Sequence, residues 1–364
     1  MRAGVRNRCA KVLGVRTASP ARPFCLPVLL TQHALYAMGD TFDRVETLRE
    51  NPRSDIPMAH RMKRFVEALQ VRITKKLEQV DGSTSFQVDR WEREEGGGGI
   101  TAVIEGGDVF EKGGVNTSAV HGALPDRMAQ VLEVEAKPFY ATGLSLVVHP
   151  RSPHVPTVHA NFRYFALGED LMNPDDQWFG GGADLTPYYP RLEDAQHFHQ
   201  VWKRVCDRHD VADYDAFKQE CDDYFYLDHR NEARGVGGIF YDYLRDDPEG
   251  TFFFSREAGR AFLDSYLPIV ERRLTDDWGK RERKFQLRRR GRYVEFNLVY
   301  DRGTKFGLES NGRTESILMS LPPHVTWAYD RQPEPGTPEH RALWYFTPRD
   351  WLALGPDDVP AGTA

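Results

Sequence analysis

Residues 142–165, TGLSLVVHPRSPHVPTVHANFRYF, read as two strands joined by a proline-punctuated loop. Side chains on a strand alternate faces with a period of two. Val158, Ala160, Phe162 and Tyr164 therefore share one face of the second strand, and His159, Asn161 and Arg163 share the other. Ser145, Val147 and His149 line up in the same way on the first strand. The apolar face suits a core. The polar face carries an imidazole, an amide and a guanidinium in a row, groups that can move protons, grip carboxylates or bind metal. The plainer reading is a solvated strand face with a structural histidine.

Helical and extended patterns alternate around this pair. Met58, Met62, Phe65, Leu69, Ile73 and Leu77 recur every three to four residues, which predicts an amphipathic helix of about five turns stopped by Asp81-Gly82. Glycines cluster at 96–99, 106–107 and 113–114, with short strand-like runs between them. No phosphate-loop motif is present and no dinucleotide fingerprint sits between a strand and a helix, which argues against nucleotide binding. WFGGGADLTPYY, residues 178–189, reads as a glycine-rich turn carrying Asp184. Helical spacing returns at Phe198, Val201, Trp202 and Val205, and again at Tyr214, Phe217, Cys221 and Tyr224. Residues 236–243 predict a strand, 255–274 a helix and 292–300, RYVEFNLVY, an alternating strand followed by a turn-rich stretch. The expected architecture is α+β, an antiparallel or mixed sheet flanked by helices in one domain over 40–354. Residues 355–364 lack a pattern and are expected to be loose.

A chain with 40% hydrophobic and 28% charged residues has a globular composition. A net charge of −6 argues against a general nucleic-acid binder. No apolar run approaches the roughly 20 residues that span a bilayer. Cys9, Cys25, Cys206 and Cys221 form no C-x-x-C pair, so zinc ribbons, thioredoxin-type redox and iron–sulfur ligation lack support. Few, scattered cysteines suit a reducing compartment and a cytoplasmic protein. Residues 1–39 hold six Lys or Arg and no Asp or Glu. They read as a dispensable basic tail, as an organellar transit peptide, or as sequence upstream of a true start at Met38.

His149, His159, His199 and His229, with Asp184, invite a metal hypothesis such as a 2-His-1-carboxylate iron site. No pair of histidines on one helix face fixes two of the ligands. Arg163 shares a face with His159, and Arg313 sits in a tight turn, Asn311-Gly312-Arg313-Thr314, where backbone N–H groups can face an anion. Arg230, Arg234 and Arg292 are further options, since guanidinium groups grip carboxylates bidentately. Asp184 is either a turn-capping aspartate or a functional carboxylate.

Taken together, these stretches resemble the oxygen-dependent coproporphyrinogen III oxidases of haem biosynthesis. The resemblance runs from about Arg61 to Trp351 and includes FEKGGVNTSAVHG, GLSLVVHPRSPHVPTVHANFRYF, WFGGGADLTPYY, CDDYFYLDHRNEARGVGGIFYDY and RGRYVEFNLVYDRGTKFGLESNGRTESILMSLPP in that order. It implies a large antiparallel sheet sandwiched by helices and a homodimer joined through about 294–329. It implies that two propionates of coproporphyrinogen III become vinyl groups, giving protoporphyrinogen IX. O2 is the oxidant, CO2 and H2O2 are released, and no organic cofactor takes part. The proton donor of such enzymes matches His159, and their conserved aspartate matches Asp184. Substrate contacts match Ser145, Asn161, Phe162, Arg163, Gly312, Arg313 and Thr314. Metal ligands proposed for bacterial members match His149, His159, His199 and His229, so a divalent metal is an open expectation. Asp184 would accept pyrrole N–H bonds and stabilise positive charge on the ring. The alternatives are a non-catalytic tetrapyrrole binder and a metal-dependent oxygenase acting on another substrate.

Overall fold

The computed structural model describes residues 56–309 and 312–360. The expectations for residues 1–39 and for 361–364 lie outside the described residues.

The first helix, α1 (Met58–Asp81), follows from its apolar spacing. Met62, Phe65, Val66, Leu69, Ile73 and Leu77 are almost fully buried along one stripe. Gly82 ends the helix in a left-handed conformation, φ 70°, and donates its N–H to the Glu78 carbonyl. The Asp81 carboxylate accepts from the backbone of Val109 at 3.0 Å and Phe110 at 2.8 Å, which fixes the helix end to the start of a strand.

The chain then builds β1 (Gln87–Glu92), β2 (Gly97–Glu105), β3 (Phe110–Ala123), α2 (Asp126–Leu132), β4 (Pro138–Pro150), β5 (Thr157–Leu167) and β6 (Asp176–Thr186). Next come α3 (Leu192–Cys206), α4 (Tyr214–Tyr224), a two-residue hairpin β7 (Tyr226–Leu227) and β8 (Glu232–Ala233), and β9 (Gly237–Leu244). The remainder is helical: α5 (Pro248–Arg273), α6 (Lys280–Val299), α7 (Arg302–Glu309), α8 (Thr314–Leu318) and α9 (Pro338–Ala342). Seven strands form one antiparallel sheet in the order β1-β2-β3-β4-β5-β6-β9. The expected α+β architecture, a large antiparallel sheet flanked on both faces by helices, is what the chain adopts. Helices α1, α3, α4 and α5 cover one face, over a core that includes Phe162, Tyr164, Phe179, Trp202, Phe254 and Phe262. Segments of α6 and α8 lie on the other face: Arg290 donates to the Pro150 carbonyl at 2.9 Å and Asn116 to the Ser316 carbonyl at 2.8 Å.

Three expectations change. Residues 292–300 are not a strand but the end of α6. Its buried stripe is Phe285, Gln286, Arg289, Arg290, Tyr293, Val294, Phe296 and Asn297, at helical spacing. Four of these are polar, so a pattern that sorts apolar from polar residues misreads the face. Residues 178–189 are not a turn: Gly180, Gly181 and Gly182 lie inside β6. A Cβ on Gly181 would come within 2.6 Å of the Asn161 carbonyl and 2.7 Å of the Tyr241 hydroxyl, so the glycine serves close approach rather than a bend. Residues 356–358 form a short 3-10 turn, and Val359 packs on the core.

Candidate active site

The register of the sheet brings the predicted row together. Asn161 pairs with Ser145 on β4, His159 pairs with Val147 on β4 and with Asp184 on β6, and Arg163 pairs with Gly180. Ser145, His159, Asn161, Arg163 and Asp184 therefore share the face opposite the main core. Phe162 does not join them: its side chain is fully buried in the core on the other face, as strand alternation requires.

Asp184 is the anchor, with its side chain only 2% exposed. Oδ1 accepts from His159 Nδ1 at 2.8 Å, and Arg234 Nη2 donates to both carboxylate oxygens at 2.8 Å. Burial alone would raise its pKa. The Arg234 charge and the His159 hydrogen bond outweigh that and hold the carboxyl below its ordinary value. An ionised Asp184 can only accept, so His159 carries its proton on Nδ1 and turns Nε2 away from the carboxylate. In this structure both Asp184 oxygens hold protein donors, so the carboxylate is directed at His159 and Arg234.

Arg234 is fixed in turn. Its Nη1 donates to Asn297 on α6 at 3.0 Å. Its guanidinium lies over the rings of Phe225, Tyr293 and Phe296 at 4.0, 4.5 and 4.7 Å. In the sequence Arg234 was one arginine among several; the signal missing there was its burial.

Arg163 is 35% exposed at the edge of this network. Nη1 donates to Asn161 Oδ1 at 2.9 Å, and Nη2 pairs with Asp242 at 2.6 Å. A Cβ on Gly180 would stand 2.7 Å from its Cζ, so that glycine makes room for the guanidinium. A second guanidinium shares its Phe240 neighbour, with Arg163 5.7 Å and Arg302 5.6 Å from the ring centre. Nothing in the sequence pattern had singled out Arg302.

Arg313 lies beyond Ser145, on the β1 side of the row. It pairs with Asp89 on β1 and donates to Ser316 Oγ at 3.0 Å, over the strand four positions from β5. Thr314 opens α8 and Gly312 bonds back to Gly307, while the Ser316 carbonyl of the same helix accepts from Asn116, the cross-strand neighbour of Ser145, at 2.8 Å. A cleft of about 960 Å³ lies over β2 and β3, lined in part by Lys63, Arg90, His121 and Tyr140. It contains none of the row, and its charges are of both signs. The convergent acid–base groups favour the sheet face as the active site.

The four histidines do not form a metal centre. His149 donates Nε2–H to the Ser320 carbonyl and accepts from Thr157; His199 donates to the Val236 carbonyl and accepts from Tyr214. His229 is held between Tyr300 and Glu295 at 2.8 Å on each side. Among the described residues no three His, Cys, Asp or Glu side chains are grouped to hold a metal ion.

His149 and His199 are instead buried neutral. Burial pushes His199 down to about 4 and His149 well below its ordinary value, the latter helped by the Arg290 charge. The unfolded chain binds protons that these rings refuse. Their contribution is therefore complete above about pH 6.5 and is lost as pH falls toward 4. Denaturant titrations at pH 7, 6 and 5 should show stability falling, gently between pH 7 and 6 and more steeply below pH 6, where each ring approaches a limiting slope of about 1.4 kcal/mol per pH unit. Flat stability over that window would contradict the buried neutral assignment.

Comparison with known proteins fits this geometry. A profile of the coproporphyrinogen III oxidase family matches residues 61–351, most of the chain. The chain belongs to the coproporphyrinogen III oxidase family. A relative from Francisella philomiragia, named an oxygen-dependent coproporphyrinogen-III oxidase, is 53% identical over 298 residues, covering 79% of this chain and 96% of its own. One of the same name from Coxiella burnetii is 52% identical over 294 residues, covering 80% of this chain and 94% of its own. The family match runs from within α1 to Trp351, so the His159–Asp184–Arg234 network and the Arg163 row lie wholly within it.

Proposed function

We propose that this chain oxidatively decarboxylates two propionate side chains of coproporphyrinogen III to vinyl groups. Each propionate loses CO2, one proton and two electrons. O2 takes the electrons and, with two protons, leaves as H2O2. The observation that carries the reading is a partly exposed imidazole, aimed by a buried ionised carboxylate, on the same strand face as a guanidinium with Asn161 between them.

In this reading His159 Nε2 exchanges the proton that leaves the reacting side chain or ring. Asp184 is a positioning residue: it fixes the tautomer and stabilises the imidazolium as it forms, in the manner of the aspartate of a hydrolase triad. Ser145, Asn161 and Arg163 hold the substrate, with Arg163 gripping a propionate, and Gly312, Arg313 and Thr314 contact the macrocycle's far side. The tetrapyrrole itself is the electron source, so the residues here need only bind, orient and move protons. The histidine set His149, His159, His199 and His229 does not fit a divalent metal, and no step is routed through one.

Purified chain incubated with coproporphyrinogen III under air should yield protoporphyrin fluorescence after oxidation, and none under argon. Retention of substrate with no product in air would instead favour a tetrapyrrole carrier. The Arg163→Lys variant should raise KM about tenfold with a near-normal Tm, since lysine keeps the charge and loses the fork. An unchanged KM would place Arg163 outside the binding site.

We further propose a homodimer joined through residues 294–329. Leu298, Val299, Leu308 and Trp327 in that stretch are between 42% and 55% exposed, apolar surface that a second copy would cover. Light scattering at micromolar concentration should give twice the 41.7 kDa chain mass, and the monomer mass would refute the assignment. Cys206 and Cys221 are both unpaired and buried, which supports work in the reducing cytoplasm. No helix among the described residues is long and apolar enough to cross a membrane.

A further inference from the structure

Among the described residues Asp242 is the acidic side chain paired with Arg163, at 2.6 Å, and its side chain is 14% exposed. Its position is built by the backbone. Pairing of β6 with β9 shifts register between Phe179 and Gly181, so Asp242 and Tyr243 together oppose Gly180. Such a bulge re-aims a side chain. Tyr243 takes up the extra residue at φ 55°, a left-handed conformation uncommon for a tyrosine, and donates its N–H to Asp242 Oδ1 at 3.0 Å. Gly180 supplies the space: a Cβ there would sit 2.6 Å from Asp242 Oδ1 as well as against Arg163. Backbone strain, a bulge and a glycine thus converge on one ion pair at the edge of the substrate face.

We infer that Asp242 is the resident counter-ion of Arg163, exchanged for a substrate carboxylate on binding and restored when substrate or product departs. The inference rests on the reading that Arg163 grips a propionate. Before substrate arrives, a lone guanidinium on this face would be an uncompensated charge in a half-dry site and would hold any carboxylate tightly. Asp242 keeps it neutralised and oriented, so an incoming propionate competes with an internal carboxylate of the same chemistry. That competition weakens binding and makes it readily reversible. Burial raises the pKa of nearby Glu220, the Asp242 charge adds to the rise, and the Arg302 and Arg163 charges pull against it, so the exchange takes place among a few charges of known sign. Asn161, which holds the other side of the guanidinium, keeps Arg163 in place while its partner changes.

The test is Asp242→Asn, which keeps the shape and removes the competing charge. Steady-state kinetics with coproporphyrinogen III should show KM lowered about tenfold, with kcat reduced severalfold as release slows. In the Arg163→Ala background, Asp242→Asn should leave KM unchanged. If Arg163→Ala alone fails to raise KM, the parent reading of Arg163 is wrong. If Arg163→Ala raises KM but Asp242→Asn leaves it unchanged, only the exchange is wrong. A KM that rises in Asp242→Asn assigns Asp242 to holding Arg163 in position and likewise overturns the exchange. Should Asp242→Asn fold poorly, Gly180→Ala gives a second reading. Its Cβ crowds both partners of the pair, and it should change KM while leaving the His159-dependent pH profile as it was.

Discussion

Replacing Asp184 with Asn should lower kcat about 100- to 1000-fold at a KM within a few fold of normal. The amide nearly preserves the shape of the carboxylate. It cannot hold the Nδ1 proton of His159 and accept two donations from Arg234 at once, so His159 loses its fixed tautomer and the charge that stabilises its protonated form. Because Asp184 is sealed behind His159 and Arg234, substrate binding at Arg163 is left largely intact, and the loss falls on turnover. A parallel pH–rate profile separates the roles. His159→Ala should flatten the pH dependence of kcat, since the proton-exchanging group is gone. An Asp184→Asn enzyme with normal kcat would remove the carboxylate from the mechanism.

The Arg234→Met variant should lose about 3–5 kcal/mol of folding stability, measured by denaturant titration. Methionine fills the slot between Phe225, Tyr293 and Phe296 but leaves Asp184 as a buried anion with only His159 beside it. The carboxyl pKa should climb accordingly, since the Arg234 charge is the largest of the influences holding it down. Activity should fall with it. The double variant Asp184→Asn with Arg234→Met should recover much of the stability, because no charge is then left buried. A cost within 1 kcal/mol of zero for Arg234→Met alone would show that the pair is not the keystone described here.

Much of this was legible in the residue order. Strand alternation placed His159, Asn161 and Arg163 on one face, and the register of β4, β5 and β6 adds Ser145 and Asp184 to it. The apolar stripe of α1 and its glycine stop were readable because apolar burial dominates that helix. Two kinds of information were not. The first is close approach: GGGADLT looks like a turn until Tyr241, Arg163 and Asp242 are seen to need the missing side chains. The second is polar burial. Helix α6 turns Arg289, Arg290 and Asn297 inward, toward Glu232, Glu111 and Arg234, so its core stripe does not look apolar and RYVEFNLVY alternates by accident. The same blindness hid Arg234 among its neighbours and made four scattered histidines look like a possible metal set, although two of them are buried structural rings.

The most direct measurement follows CO2 released from coproporphyrinogen III labelled in its propionate carboxyls, with wild type and Asp184→Asn side by side under air and under argon. The proposed function predicts two CO2 per substrate with wild type in air, none under argon, and release at least 100-fold slower in the variant at a similar KM. CO2 release that persists without O2, or that proceeds at the wild-type rate in Asp184→Asn, would contradict it.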